Sequence, residues 1–232
     1  STTRLFLTLS SGVTVGPSES TVTAPEPTPG GWGVYRSNNE GLLWEKLSVA
    51  GATSSARPTD LKMDPNDNLT LYLGILGEGI FKTVDGGETW CPLNPGIPPP
   101  EGCPDYSDSG LVDPSIVPFD HVEIQIFPEN SDVLYATFGM CPDPLLQRCR
   151  PALYKSIDAG EIWTLKLEGS MSEGSYQQCG RQYSRYTHGL AVHPMIENKL
   201  FIGGIRLCVS VDGGETWDHS DTIDVYDGSV YS

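Results

Sequence analysis

Short runs of alternating apolar and polar residues, each closed by proline, recur along the chain. Asp60-Leu-Lys-Met-Asp64-Pro65, Val122-Glu-Ile-Gln-Ile-Phe-Pro128 and Gly189-Leu-Ala-Val-His-Pro194 read as strands. Each stops at its proline, which has no amide to extend a ladder. An aromatic strand follows after a constant seven residues, from Pro65 to Tyr72, Pro128 to Tyr135 and Pro194 to Phe201; Arg4-Leu-Phe6-Leu matches it near the start. A third strand comes next: Gly33-Val-Tyr-Arg36, Gly79-Ile-Phe-Lys82, Ala152-Leu-Tyr-Lys155 and the variant Leu207-Cys-Val209.

Each third strand runs into the same eight-residue corner. The copies are Ser37-Asn-Asn39-Glu-Gly41-Leu-Leu-Trp44, Thr83-Val-Asp85-Gly-Gly87-Glu-Thr-Trp90, Ser156-Ile-Asp158-Ala-Gly160-Glu-Ile-Trp163 and Ser210-Val-Asp212-Gly-Gly214-Glu-Thr-Trp217. A tight hairpin needs glycine where φ is positive, and Asp, Asn, Ser or Thr can bond its side chain to nearby amides. The tryptophan is a large apolar anchor for the turn. The corner turns the third strand into a fourth, so each unit is a four-stranded antiparallel sheet. Repetition of such units predicts an all-β protein, a β-propeller.

The units fall at about 1–48, 58–95, 119–168 and 187–220 of one region spanning 1–232, with a tail at 221–232. The interval between corner tryptophans is 46, 73 and 54 residues, so the second carries insertions. These are the proline-rich stretch Pro92 to Pro118 and the loop Cys141 to Cys149; a third, Ser10 to Gly31, splits the first unit. The first unit lacks its first strand, and the tail Thr222 to Ser232 lacks that strand's pattern. Four blades of a longer propeller are expected, with the tail supplying the missing strand as the other arrangement.

Composition adds compartment and partner class. The 232 residues hold 30 Asp and Glu against 14 Lys and Arg, a net charge of −16, with 26 Gly and 19 Pro. Such a surface repels phosphate backbones and anionic lipid, which argues against nucleic-acid and membrane-surface binding. No run of 18 apolar residues offers a membrane span. Cys91, Cys103, Cys141, Cys149, Cys179 and Cys208 contain no CxxC pair, so zinc and redox motifs are excluded and three disulfides are expected in an oxidising compartment. Proximity suggests Cys91–Cys103, Cys141–Cys149 and Cys179–Cys208. Asn68-Leu-Thr70 is an N-glycosylation sequon.

The corners resemble the Asp-box, or BNR, repeats of sialidases, sortilin-type Vps10 receptors, xyloglucan-cleaving glycosidases and photosystem II assembly-factor-like propellers. Leu71-Tyr-Leu-Gly followed by Gly79-Ile-Phe-Lys-Thr-Val-Asp-Gly-Gly-Glu-Thr-Trp90 is most similar to the last three groups. The resemblance spans nearly the whole chain and implies the fold; the same corner serves receptors, enzymes and assembly factors. A sialidase would need an Arg-Ile-Pro motif ahead of the first corner, whereas Arg57-Pro58 lacks the middle residue and follows it. A xyloglucanase would need two carboxylates across a cleft, and the sequence does not single out a pair. Asp85, Asp158 and Asp212 are expected to be occupied by their turns.

Three further groups of residues carry candidate chemistry. Asp105, Asp108 and Asp113, with Gly110, could cradle calcium, although their spacing is not that of an EF-hand. His121, His188, His193 and His219 show no ligand-pair spacing. Arg181, Tyr183, Arg185 and Tyr186 form a cationic, aromatic stretch of the kind found at interfaces, beside the alternative that it packs on its own blade. The expectation is a non-catalytic extracellular or periplasmic propeller, without a cofactor, that binds a protein or glycan partner within a larger surface complex. The alternative is a glycoside hydrolase domain.

Overall fold

The computed structural model describes residues 4–9, 32–53, 56–143, 148–168, 189–203 and 207–219. Among them are fifteen strands and no helix. The first sheet has β1 (Leu5–Leu9), β2 (Gly33–Ser37) and β3 (Glu45–Lys46). The second has β4 (Pro58–Met63), β5 (Leu71–Ile75), β6 (Gly79–Thr83) and β7 (Cys91–Pro92). The third has β8 (Phe119–Ile126), β9 (Leu134–Asp143), β10 (Arg148–Ser156) and β11 (Thr164–Glu168). The fourth has β12 (Gly189–Val192), β13 (Leu200–Gly203), β14 (Leu207–Ser210) and β15 (Asp218–His219). Every strand pairs antiparallel with its neighbour in sequence, so each sheet is a meander and the chain has the blades of a β-propeller.

Why β5 is wholly apolar follows from how the sheets stack. Successive sheets touch through β1 and β4, β4 and β8, and β8 and β12. Leu71, Leu73 and Ile75 pack toward Val34 of the first sheet, while Tyr72 and Ile80 join Val122, Ile124 and Phe138 of the third. Side chains alternate across a strand, so a sheet covered on both sides must be apolar on both. The third sheet sends Tyr135 and Leu153 against Leu190, Leu200 and Ile202 of the fourth.

The corners share one hydrogen-bond scheme. The first residue's hydroxyl accepts the amide of the glycine four residues on: Gly41 to Ser37 at 2.8 Å, Gly87 to Thr83 at 3.0 Å, Gly160 to Ser156 at 3.0 Å and Gly214 to Ser210 at 2.8 Å. The same hydroxyl donates to Oδ1 of the Asn or Asp two residues later. That Oδ1 in turn accepts the amide of Leu43, Thr89, Ile162 or Thr216. Trp90 and Trp163 are buried, but Trp44 and Trp217 are only half-buried, so the anchoring expected of all four is complete in the middle sheets.

Positive φ extends over two corner residues. The glycine that the motif requires is preceded by Glu40 (φ 61°), Gly86 (76°), Ala159 (56°) or Gly213 (77°). Side chains at such angles crowd the backbone. Ala159→Gly therefore stabilises the protein by about 0.5 kcal/mol, the net of relieved strain and a freer unfolded chain. A lower urea midpoint for the variant would contradict this.

Corners also lock onto the preceding sheet. Arg36 Nη1 donates to the Gly86 carbonyl at 2.8 Å, and Lys82 Nζ donates to that of Ala159 at 2.8 Å. Lys155 Nζ reaches Asn198 Oδ1, beside the fourth corner, at 2.9 Å. The Tyr72 hydroxyl joins Lys82 on Ala159, and that of Tyr135 donates to the Glu197 carbonyl. Arg36, Lys82 and Lys155 occupy one repeat position, immediately before the corner.

Candidate functional site

Strand order sorts the connections by face. In a four-stranded meander the turns after the first and third strands share one end, and the remaining connections share the other. The proline turns and the four corners therefore lie on one face. The long insertions leave from the opposite face, and the first strands β4, β8 and β12 form an adjacent wall.

That wall carries Asp60, Lys62, His121 and Glu123. Asp60 Oδ2 accepts the Ile124 amide at 2.8 Å, and its Oδ1 pairs with Lys62 Nζ at 3.0 Å. Glu123 Oε2 accepts the Leu190 amide at 2.9 Å. Asp60 and Glu123 each stand five residues before the strand-ending proline, and each accepts from the residue after that position in the next sheet. Gly189 fills the equivalent place in the fourth sheet, which also has Phe201 for Tyr72 and Tyr135, and Val209 for Lys82 and Lys155.

Burial pushes the Glu123 carboxyl up to about 7, with the Leu190 amide and Lys62 opposing and Asp60 adding to the rise. Burial lowers His121 against the pull of Asp60. The folded state binds the Glu123 proton more tightly than the unfolded chain, whose glutamate titrates near 4.5. Stability from this group is therefore full below pH 4.5 and is lost as pH rises to about 7. Glu123→Gln should match the wild type at pH 4 and exceed it at pH 8 in urea unfolding. Equal stability at both pH values would refute the assignment.

The corner acids Asp85, Asp158 and Asp212 accept amides within their own turns. Thr216 holds the Asp212 carboxyl down to about 2 through its hydroxyl and amide. Cys91 and Cys103 form the proposed disulfide. Cys141 and Cys208 are also disulfide-bonded, but the pairings Cys141–Cys149 and Cys179–Cys208 involve residues whose side chains lie outside the described ones. Arg181, Tyr183, Arg185, Tyr186 and His188 also lie outside them. Asn68 is exposed in a proline turn, where the Thr70 hydroxyl of its sequon donates to Asp67.

The proline-rich insertion packs against the third sheet. Leu93, Leu111 and Val112 enter the core, and buried Asn94 accepts the Ile80 amide and donates to the Val112 carbonyl. The Ser109 carbonyl accepts the amide of Trp163 at 2.7 Å. A Cβ on Gly110 would sit 2.3 Å from the Trp163 carbonyl oxygen, so this glycine serves a close approach. Asp105 and Asp113 accept the amides of Ser107 and Ser115 in local turns. Among the described residues no group of three His, Cys, Asp or Glu is arranged to hold a metal ion.

No protein-family model matches the chain, and comparison with curated proteins returns no match. Solved structures do resemble it. An ancestral GH74 enzyme aligns at 16% identity and a TM-score of 0.53, over 80% of this chain and 21% of that one. The GH74 enzyme of Niastella koreensis aligns at 19% and 0.52, over 82% and 26%. The GH74 xyloglucanase from Xanthomonas campestris aligns at 19% and 0.50, over 81% and 26%. The likeness is one of fold, and the chain spans about a fifth to a quarter of those proteins' length.

Proposed function

We propose that the chain is a non-catalytic propeller that binds a protein or glycan partner in an extracellular or periplasmic assembly. The observation carrying this reading is the engagement of Asp60 and Glu123, the wall carboxylates, by backbone amides of the next sheet. A group holding two blades together is poorly placed to move during a reaction. The Cys91–Cys103 bond supports an oxidising compartment. Incubation with a panel of soluble β-glucans should release no reducing ends, and affinity electrophoresis against the same panel tests glycan binding. Turnover by the purified chain would overturn the non-catalytic reading.

One observation favours a hydrolase instead. A glutamate raised to about 7 beside Asp60 has the signature of a general acid. In that case Glu123→Gln would abolish the released sugar while leaving the fold intact.

A further inference from the structure

A cavity of about 260 Å³ opens on the insertion-bearing face, where the first sheet meets the second. Val34, Val49, Pro58 and Ile75 give it an apolar lining, Trp32 forms one wall, and Lys46 reaches its edge. No carboxylate lines it. The Arg57 guanidinium lies 3.9 Å from the centroid of the Trp32 ring. Lys46 passes beside Gly33, the next residue, where a Cβ would fall 2.5 Å from the lysine Cε. Lys46 thus lines the cavity itself, while Arg57 stands against its Trp32 wall. Neither forms an ion pair among the described residues. The nearby Glu78 carboxylate is taken by the Thr53 amide and hydroxyl, at 3.0 and 2.5 Å.

This is a local reversal of charge on a protein of net charge −16. We propose that the cavity binds a small carboxylate with a compact apolar body. The apolar part packs on Trp32, Val49 and Ile75, and the carboxylate meets Lys46 and Arg57. A charge-assisted contact with two cations orients the acid, and the Trp32, Val34, Val49 and Ile75 side chains favour an aliphatic or aromatic group. The same chemistry is offered by a free organic acid and by the C-terminus of a peptide ending in an apolar residue. The site is separate from the Asp60 and Glu123 wall and stands whichever function that wall serves.

Calorimetric titration with 4-methylpentanoate, phenylacetate, and a tetrapeptide ending in leucine, as free acid and as amide, tests it. A ligand of this size should bind with a dissociation constant on the order of 1 mM, and the amide about tenfold more weakly. Lys46→Gln should weaken the acid about fivefold, and adding Arg57→Gln should remove measurable binding. Both side chains are exposed, and a thermal melt confirms that each variant is folded. Binding of the peptide alone assigns the site to a protein terminus, and of the free acids alone to a small molecule. Equal affinity for acid and amide, insensitivity to both substitutions, or no binding by any probe overturns the proposal.

Discussion

Replacing Trp90 by alanine lowers the free energy of unfolding by about 4 kcal/mol. The side chain is fully buried, at 0% exposure, among Val34, Leu71, Leu73, Ile75 and Phe81, so its removal opens a cavity between the first and second sheets. Surrounding strands are held in register by their ladders and cannot close in, which adds a cavity cost to the lost transfer energy. The loss corresponds to a fall of about 10 °C in melting temperature for a chain of this size.

Two companion substitutions sharpen the test. Trp163 and Trp217 donate their ring N–H groups to Gly160 and Gly214, whereas the buried Trp90 Nε1 has no hydrogen-bond partner among the described residues. Trp90→Phe deletes that unpaired donor and keeps much of the apolar bulk, so it should cost about 1 kcal/mol. Trp44→Ala, at the half-buried equivalent position, should cost about 1 to 2 kcal/mol. Equal losses for Trp44→Ala and Trp90→Ala in urea unfolding would show that the corner, and not the burial, sets the energy.

Exchanging Cys91 and Cys103 together for alanine costs about 3 kcal/mol. The bond closes a loop with a sequence separation of 12 residues, and its loss frees that loop in the unfolded chain. The effect should propagate, because the insertion leaving this loop supplies Leu111 and Val112 to the core and the Ser109 carbonyl to Trp163. Hydrogen exchange at the Trp163 amide should therefore accelerate in the double variant. Unchanged protection there, with stability lowered, would confine the disulfide's role to the unfolded state.

Legibility followed sequence distance. The corner scheme between Ser37 and Leu43 is complete within a few residues, so its residue types announce it. Cys91 and Cys103 were close enough for proximity to suggest their bond. The path of the proline-rich insertion was not legible, since composition reads as loop whether a segment projects or packs. Asp60 and Glu123 were missed among 30 acids, although their shared offset from Pro65 and Pro128 was a usable signal. The cavity beside Trp32 draws its wall from Val34, Pro58 and Ile75, on three separate strands.

The sequence by itself determined that this protein is a series of antiparallel sheets turned by corners of one shared pattern, because alternation and turn chemistry act over neighbouring residues. Only the tertiary structure decided which charged groups are spent between sheets and which remain at a surface. Asp60 meets Ile124 across 64 residues and Glu123 meets Leu190 across 67, so their engagement depends on how one sheet is set against the next. Local preferences carry no information about that packing, which also leaves Lys46 and Arg57 beside an acid-free cavity.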